Sequence, residues 1–220
     1  MGETIKLTAE DGHEFDAYVA LPDGTPKGGV VVMQEIFGVN EHIRRDTDKF
    51  AAHGYAAIAP AVFDRIERGV ELGYDEAGFA KGRSIVMELG WDGPIKDVKA
   101  AADHLSQYGK VGGVGYCWGG SLAWLAATRL GIPSSGYYGG RTASLIDEQP
   151  KAAVQLHFGE KDSHIPMSDV EKIKAAHPDV PVYVYAAGHG LNCDDRADYD
   201  AECAKLALDR TLELFKAEVG

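Results

Sequence analysis

The sequence is poor in basic residues and in cysteine, and it has no long apolar run. Among its 220 residues, 22 are Lys or Arg against 34 Asp or Glu, which gives a net charge of −12 at pH 7. Nucleic acids and anionic membranes are bound by clustered Lys and Arg, so this balance argues against both as partners. No apolar run is long enough to cross a bilayer. A small anionic substrate requires a local cationic pocket.

The cysteines do not form the pattern of a disulfide framework or a zinc site. Cys117, Cys193 and Cys203 are odd in number and have no C-x-x-C spacing, and no H-x-H or H-x-x-x-H pair suggests a metal. The N-terminal residues lack the basic segment and apolar core of a secretory signal. We therefore expect a monomeric, cytoplasmic protein, with a periplasmic origin after signal removal left open. No metal and no cofactor are expected.

Apolar runs and helical periodicities alternate along most of the chain. A turn at residues 10–12 separates two alternating segments, which predicts an antiparallel hairpin. Buried strands are then predicted at 29–34, 55–63, 110–116, 134–139, 153–159 and 180–188, and helices at 41–53, 76–89, 95–108, from 118 onward, at 166–177 and at 194–216. This alternation predicts a single α/β domain over residues 1–220, with a mostly parallel sheet and helices on both faces.

The segment GVGYCWGG, residues 113–120, places Cys117 between a predicted strand and a predicted helix. A free cysteine is most often a small buried residue, and Cys193 and Cys203 are read in that way. A nucleotide loop does not fit, because the acidic residue that binds the ribose and the lysine of a P-loop are both absent. G-x-C-x-G is the cysteine form of the G-x-S-x-G nucleophile elbow, which sits at a strand–turn–helix junction. A redox-sensing thiol stays an alternative.

Candidate partners for this thiol follow the next two strong strands in the order acid, then histidine. Asp162 follows the strand at 153–159, and His189 follows the strand at 180–188. In a parallel sheet the carboxyl ends of strands share one edge, where ligands bind. The order nucleophile, acid, histidine is that of α/β-hydrolases. Asp194 and Asp195 lie too close to His189 in sequence to orient it, and they are predicted to cap the last helix.

Several blocks together resemble the dienelactone hydrolase (carboxymethylenebutenolidase) family, cap-less members of the α/β-hydrolase superfamily. The blocks are QEIFGVN at 34–40, GVGYCWGG at 113–120, GYYG at 136–139, GEKD at 159–162 and AGH at 187–189. The resemblance covers residues 3–216. It implies an α/β-hydrolase fold and hydrolysis of an ester or lactone through an acyl-thioester, without metal, nucleotide or flavin.

The resemblance also implies roles for individual residues. Cys117 would be the nucleophile, His189 the base, Asp162 the acid that orients it, and Glu35 a carboxylate beside the thiol that helps to shift its proton. The alternative for Glu35 is a helix-capping carboxylate. The backbone N–H groups of Ile36 and Trp118 would form the oxyanion hole.

The implied substrate pocket is lined by Phe37, Tyr137 and Tyr138, for which ordinary aromatic packing is the alternative. Members of the family hold a substrate carboxylate with two arginines. For the first of these arginines the candidates are Lys81 and Arg83. The second is expected shortly after the catalytic histidine, but Arg196 lies further beyond His189 than the family pattern requires. The sequence therefore favours ester or lactone hydrolysis over a specific substrate. A non-catalytic α/β-hydrolase fold that binds a ligand or senses redox state through Cys117 is the alternative function.

Overall fold

One eight-stranded sheet runs through the molecule. The computed structural model describes residues 2–220, and its strands are β1 (Glu3–Thr8), β2 (Glu14–Ala20), β3 (Gly29–Met33), β4 (Ala56–Pro60), β5 (Val111–Tyr116), β6 (Ser134–Tyr137), β7 (Val154–Gly159) and β8 (Val182–Tyr185). Their order across the sheet is β1-β2-β4-β3-β5-β6-β7-β8. β2 pairs antiparallel with both β1 and β4, and all other neighbours are parallel. The predicted α/β class with a mostly parallel sheet is confirmed.

The helices follow the strands as the alternation predicts. They are α1 (Glu41–Ala52), α2 (Glu76–Leu89), α3 (Asp92–Leu105), α4 (Trp118–Leu125), α5 (Met167–Ala176) and α6 (Ala201–Glu218). The side chains of Asn40, Asp75 and Asp200 each accept a hydrogen bond from the backbone N–H three residues on, which stabilises the first turns of α1, α2 and α6. Within residues 2–220, no helix combines the length and apolar character that a bilayer crossing requires.

Helices cover both faces of the sheet. Gly29 of β3 is in register with Val111 of β5, so Gly29 and the next residue of β5, Gly112, face opposite sides. A Cβ on Gly29 would meet Leu105 of α3, whereas a Cβ on Gly112 would meet Phe215 of α6. α3 and α6 therefore pack on opposite faces, and both faces of the parallel strands are buried.

The last helix begins later than predicted. The expected helix at 194–216 starts instead at Ala201, and Asp200 caps it in place of Asp194 and Asp195. The side chains of Asp194 and Asp195 instead face Arg45 on α1, whose Nη2 lies 2.7 Å from Asp194 Oδ1 and 2.8 Å from Asp195 Oδ2. Residues 190–199 form a series of turns, closed by backbone hydrogen bonds such as those from the Cys193 N–H to the Gly190 carbonyl and from the Arg196 N–H to the Cys193 carbonyl.

Candidate active site

Cys117 occupies a strained turn between β5 and α4. Its φ and ψ are 54° and −119°, and a non-glycine residue at such angles costs on the order of 1–3 kcal/mol. Its N–H donates to the Tyr137 carbonyl at 3.0 Å, and its carbonyl accepts from the Gly120 N–H at 2.9 Å. These hydrogen bonds hold the turn, and they leave the half-buried thiol at the carboxyl edge of the sheet.

The glycines on either side of Cys117 permit close packing of backbone on backbone. A Cβ on Gly115 would overlap the carbonyl oxygen of Gly119, and a Cβ on Gly119 would overlap the carbonyl oxygens of Met33 and Gln34. The first turn of α4 can therefore lie directly against the ends of β3 and β5. This is the strand–turn–helix arrangement that the G-x-C-x-G pattern predicts.

His189 and Asp162 lie in line with the thiol. His189 Nε2 is 3.3 Å from Cys117 Sγ, and His189 Nδ1 is 2.7 Å from Asp162 Oδ2. Asp162 Oδ1 accepts hydrogen bonds from the backbone N–H groups of His164 at 2.7 Å and Ile165 at 3.0 Å. The Asp162 side chain is fully buried and that of His189 is 6% exposed. The three side chains thus form a continuous thiol–imidazole–carboxylate chain.

The electrostatics of this chain favour a charged imidazole. Burial works against the imidazolium form of His189, but the negative charge of Cys117 and the hydrogen bond with Asp162 outweigh it and raise the pKa of His189 to about 10. Burial also works against the charged form of Asp162, yet the hydrogen bonds from His189 and two backbone N–H groups hold the pKa of that carboxyl below its ordinary value. The imidazole of His189 is therefore suited to take up and hold a proton beside the thiol.

Two aromatic rings hold the imidazole of His189 in place. The ring of Tyr138 meets it edge-on with centroids 5.1 Å apart, and the ring of His164 meets it edge-on at 5.0 Å. Phe79 of α2 in turn stacks on His164 at 6.0 Å. The orientation of His189 is therefore set by packing as well as by its hydrogen bond to Asp162.

The two backbone N–H groups predicted for the oxyanion hole both border the thiol. Trp118 is the first residue of α4, where a backbone N–H has no acceptor within the helix. Ile36 lies just beyond β3, and its N–H donates to no acceptor among residues 2–220. Both residues line the same pocket as Cys117. They are thus placed to offer two free donors to one oxygen atom.

A cavity of about 310 Å³ opens above the thiol. The net charge of its lining is positive, whereas the net charge of the whole protein is negative. The cavity is lined by Ile36, Phe37, Phe79, Arg83, Val86, Cys117, Trp118, Gly140, Arg141, His164, His189 and Arg196. Its apolar wall comes mainly from α2 and the loop after β3. None of its lining residues is acidic, although the chain carries a net charge of −12.

Two aromatic residues predicted for the pocket wall do not line it. Tyr137 is buried in the core, where its hydroxyl lies 2.7 Å from Thr211 Oγ1 and its ring stacks on His157. Tyr138 is fully buried behind His189. Tyr137 ends β6 with its ring in the covered face of the sheet, whereas Tyr138 lies beyond the strand in a turn with φ 39° that directs its ring against His189, so neither ring reaches the cavity. Of the predicted aromatic residues, Phe37 lines it.

The pocket arginines are partly those that the sequence suggested. Arg83 lines the cavity, whereas Lys81 points away to an ion pair with Glu67. Arg196 also lines it, because the turns of residues 190–199 bring it back across Gly190. Arg141, two residues beyond the GYYG block, was not predicted. Its only sequence signal is a basic residue close behind a strand end.

Glu35 lies in a buried polar chamber behind the thiol. Its side chain is fully buried, its Oε1 is 3.7 Å from Arg196 Nη1, and neither oxygen has a hydrogen-bond partner among residues 2–220. The helix-capping alternative is wrong, because Asn40 caps α1. The carboxylate makes no hydrogen bond to Cys117, whose sulfur faces His189. Its predicted part in shifting the thiol proton stays a prediction.

The same chamber brings three potential metal ligands together. Single atoms of Glu35, His42 and Cys193, all buried, lie within 4.8 Å of one another. Burial, followed by the charge of Glu35, raises the pKa of Cys193 to about 12, so its thiol is protonated at neutral pH. The nearby Arg196 guanidinium would also repel a cation. The donor set therefore does not favour metal binding.

Comparison with known proteins connects these features to one family. Residues 15–219 match the model of the dienelactone hydrolase family. The carboxymethylenebutenolidases of Pseudomonas putida and Pseudomonas knackmussii are each 32% identical to this chain over 225 aligned positions, which cover 97% of this chain and 95% of theirs.

Solved structures agree with the sequence relatives. A crystal structure from Klebsiella pneumoniae subsp. pneumoniae, named provisionally as a dienelactone hydrolase, has a TM-score of 0.82 at 29% identity and covers 97% of this chain and 99% of that one. The dienelactone hydrolase of Anabaena variabilis has a TM-score of 0.72 at 15% identity, covers 100% of this chain and 99% of that one, and is similar in fold.

Proposed function

We propose, from the premise that the chain belongs to the dienelactone hydrolase family, that it hydrolyses carboxylic esters or lactones with Cys117 as nucleophile. The observation that carries this proposal is the unbroken chain from Cys117 Sγ through His189 to Asp162, with separations of 3.3 and 2.7 Å. Nucleophile and base within hydrogen-bond reach, with the base oriented by a third group, is the arrangement that nucleophilic catalysis requires.

The first half of the reaction forms an acyl-thioester. The proton of Cys117 passes to His189, and the thiolate attacks the carbonyl carbon of the substrate. The negative charge then moves to the carbonyl oxygen, which accepts hydrogen bonds from the N–H groups of Ile36 and Trp118. The carbon–oxygen bond breaks, and the departing alkoxide or enolate takes the proton from His189.

The second half returns the enzyme to its starting state. In the free enzyme, the negative charge of Cys117 is a main cause of the raised pKa of His189. Acylation of the sulfur removes this charge, so the pKa of His189 falls. The imidazole is therefore a neutral base at this stage, and it takes a proton from water as the water attacks the thioester. The thiolate leaves, and the carboxylic acid product departs from the cavity.

The pocket also supports a substrate that carries a carboxylate. The guanidinium groups of Arg83 and Arg196 lie on the cavity wall, and neither makes a side-chain hydrogen bond within residues 2–220. We assign to them the role that the family resemblance implies, the binding of a substrate carboxylate, which arginine contacts with two parallel hydrogen bonds. The carboxylate of Glu35 lies 3.7 Å from Arg196 and partly offsets the positive charge of its guanidinium before substrate binds.

Substitution of the nucleophile tests the proposal. Cys117→Ala should lower kcat/KM for p-nitrophenyl acetate by roughly a thousandfold or more. Cys203→Ala, which removes a half-buried thiol from α6, is the matched control and should retain activity. Mass spectrometry of the wild type quenched during turnover should find the acetyl group on the peptide that contains Cys117. Wild-type turnover by the Cys117→Ala protein would overturn the mechanism and leave a redox or binding role for the thiol.

A further inference from the structure

The arginines of this acidic chain are nearly all engaged by other side chains. Of nine arginines, six form an ion pair with a carboxylate within 4.0 Å: Arg44, Arg45, Arg65, Arg68, Arg129 and Arg196. A seventh, Arg210, lies over the ring of Tyr183 at 4.0 Å and donates to the hydroxyl of Tyr185. Within residues 2–220 the two that remain unpaired are Arg83 and Arg141. Both line the cavity above Cys117.

Arg141 lies across the nucleophile from Arg196. Cys117 follows β5, which lies between β3 and β6 in the sheet. Arg196 faces Glu35 at the end of β3, whereas Arg141 follows β6. Since neighbouring strands are about 4.8 Å apart, the ends of β3 and β6 are separated by roughly 10 Å. The Arg196 guanidinium therefore lies on the β3 side of the attacking sulfur, and Arg141 joins the cavity wall from the β6 side.

The backbone of Arg141 is held firmly while its guanidinium is left without an acceptor. The Arg141 N–H donates to Ser121 Oγ of α4 at 3.0 Å, and Ser121 Oγ is 3.2 Å from Thr142 Oγ1. No side chain or carbonyl within residues 2–220 accepts a hydrogen bond from the Arg141 side chain. A fixed backbone and free planar donors are well suited to bind a carboxylate with two hydrogen bonds.

We propose that Arg141 forms a second anion-binding subsite, so that the substrate is an ester or lactone with one carboxylate on each side of the scissile carbonyl. This inference rests on the proposed hydrolase function and specifies its substrate class. One carboxylate would bind Arg83 and Arg196, as proposed above. The other would bind Arg141 on the β6 side of Cys117, and the carbonyl carbon would lie between them at the thiol.

Four aryl esters separate the two subsites. The acyl part is butyryl or glutaryl, and the phenol is methyl 4-hydroxybenzoate or 4-hydroxybenzoate, so each part is uncharged or carries one carboxylate. For the wild type, kcat/KM should be highest for the ester with two carboxylates. Two ratios of kcat/KM follow, because the ester with two carboxylates can be compared with the ester that lacks the acyl carboxylate and with the ester that lacks the phenol carboxylate. In Arg141→Gln, one of these two ratios should fall roughly tenfold or more, and the other should stay at its wild-type value. Arg141→Lys, which keeps the charge, should give an intermediate ratio.

A control separates local contact from overall charge. Lys216→Gln removes one positive charge from an exposed position of α6 and should leave all ratios at wild-type values. An equal loss by Arg141→Gln on all four esters, or unchanged ratios, would overturn the second subsite. Hydrolysis of the uncharged ester that still depends on Cys117 would in that case leave the proposed hydrolase function intact, so the two failures are distinguishable.

Discussion

Gly82 of α2 lies directly against the carbonyl oxygen of Ile36. A Cβ at position 82 would overlap this oxygen. The absence of a side chain lets α2 pack onto the loop after β3, and this contact helps to fix the backbone of Ile36, whose N–H is the proposed oxyanion donor. α2 also supplies Phe79, Arg83 and Val86 to the cavity. One close approach therefore positions both the pocket wall and a proposed catalytic donor.

Gly82→Ala should accordingly impair catalysis as well as stability. The methyl group displaces the Ile36 backbone, and loss of one oxyanion donor typically costs about a hundredfold or more in kcat; for a displaced donor we expect a fall of roughly tenfold or more. Kinetics on p-nitrophenyl acetate and a thermal melt measure the two effects. Gly73→Ala is the control, because a Cβ there would meet nothing closer than 4.0 Å. Equal kinetics for the two variants would contradict the role of this contact.

Iodoacetamide should alkylate Cys117 before the other two cysteines. Cys193 is fully buried, and burial with the charge of Glu35 raises its pKa to about 12. Burial and the hydrogen bond with Asp200 raise the pKa of Cys203. Cys117 is half-buried, and its Sγ lies 3.3 Å from Nε2 of His189, the proposed proton acceptor. Peptide mass spectrometry over time gives the order.

The same experiment on His189→Asn tests the origin of this reactivity. Without the imidazole, Cys117 loses the proposed acceptor of its proton, and we expect alkylation at pH 7 to slow roughly tenfold or more. His104→Asn, a replacement of a half-buried histidine on α3 away from the cavity, should leave the rate unchanged. First labelling at Cys193, or an equal rate in His189→Asn, would be incompatible with the proposed thiol–imidazole pair.

Asp162→Asn should abolish most activity while it preserves the loop. The new amide oxygen can still accept from the N–H groups of His164 and Ile165, which now bind Asp162 Oδ1. The amide nitrogen, however, would donate to His189 Nδ1 and place the remaining imidazole proton on Nε2, toward the thiol. In serine proteases the same Asp→Asn change leaves the base with the wrong tautomer and lowers kcat by about 10⁴-fold. Asp169→Asn on α5 is the control, and activity within tenfold of wild type in Asp162→Asn would refute the assigned role.

His157 should make the protein sensitive to acid. It lies fully buried between Ser135 Oγ at 3.0 Å and the hydroxyl of Tyr185 at 2.7 Å, and burial, followed by the charge of Arg210, lowers its pKa to about 3. Below pH 6.5 the unfolded chain therefore binds a proton that the folded chain does not, and stability falls as pH falls. Between pH 7 and pH 5 this one group should cost about 2 kcal/mol of the free energy of unfolding.

Urea unfolding at the two pH values measures this cost. His157→Gln, which lacks the titrating ring, should lose about 2 kcal/mol less between pH 7 and pH 5 than the wild type. His53→Gln, at an exposed position after α1, should behave as the wild type does. An identical loss in wild type and His157→Gln would show that acid sensitivity originates elsewhere.

The local patterns of the sequence were sufficient for the fold class and for the order of the triad. The strand–helix alternation determines a parallel sheet because each strand must return through a helix, and α2 has the predicted bounds. The carboxyl ends of β5, β7 and β8 then lie at one edge, so Cys117, Asp162 and His189 meet although up to 72 residues separate them. Their catalytic roles, the single domain over 1–220, the monomeric state and the cytoplasmic location stay predictions.

Only the tertiary structure decided which side chains surround the thiol. Tyr137 and Tyr138 have the same local pattern as pocket aromatics, but the covered face of β6 buries Tyr137 and the turn after β6 buries Tyr138 against His189. Asp194, predicted to cap the last helix, instead binds Arg45, which lies 149 residues before it, and Asp200 caps α6. Arg141 differs from most other arginines because no carboxylate within residues 2–220 pairs with it, and the sequence does not show which arginines have such a partner. Side-chain direction and ion pairs between distant residues are set by packing, and so no local sequence pattern encodes them.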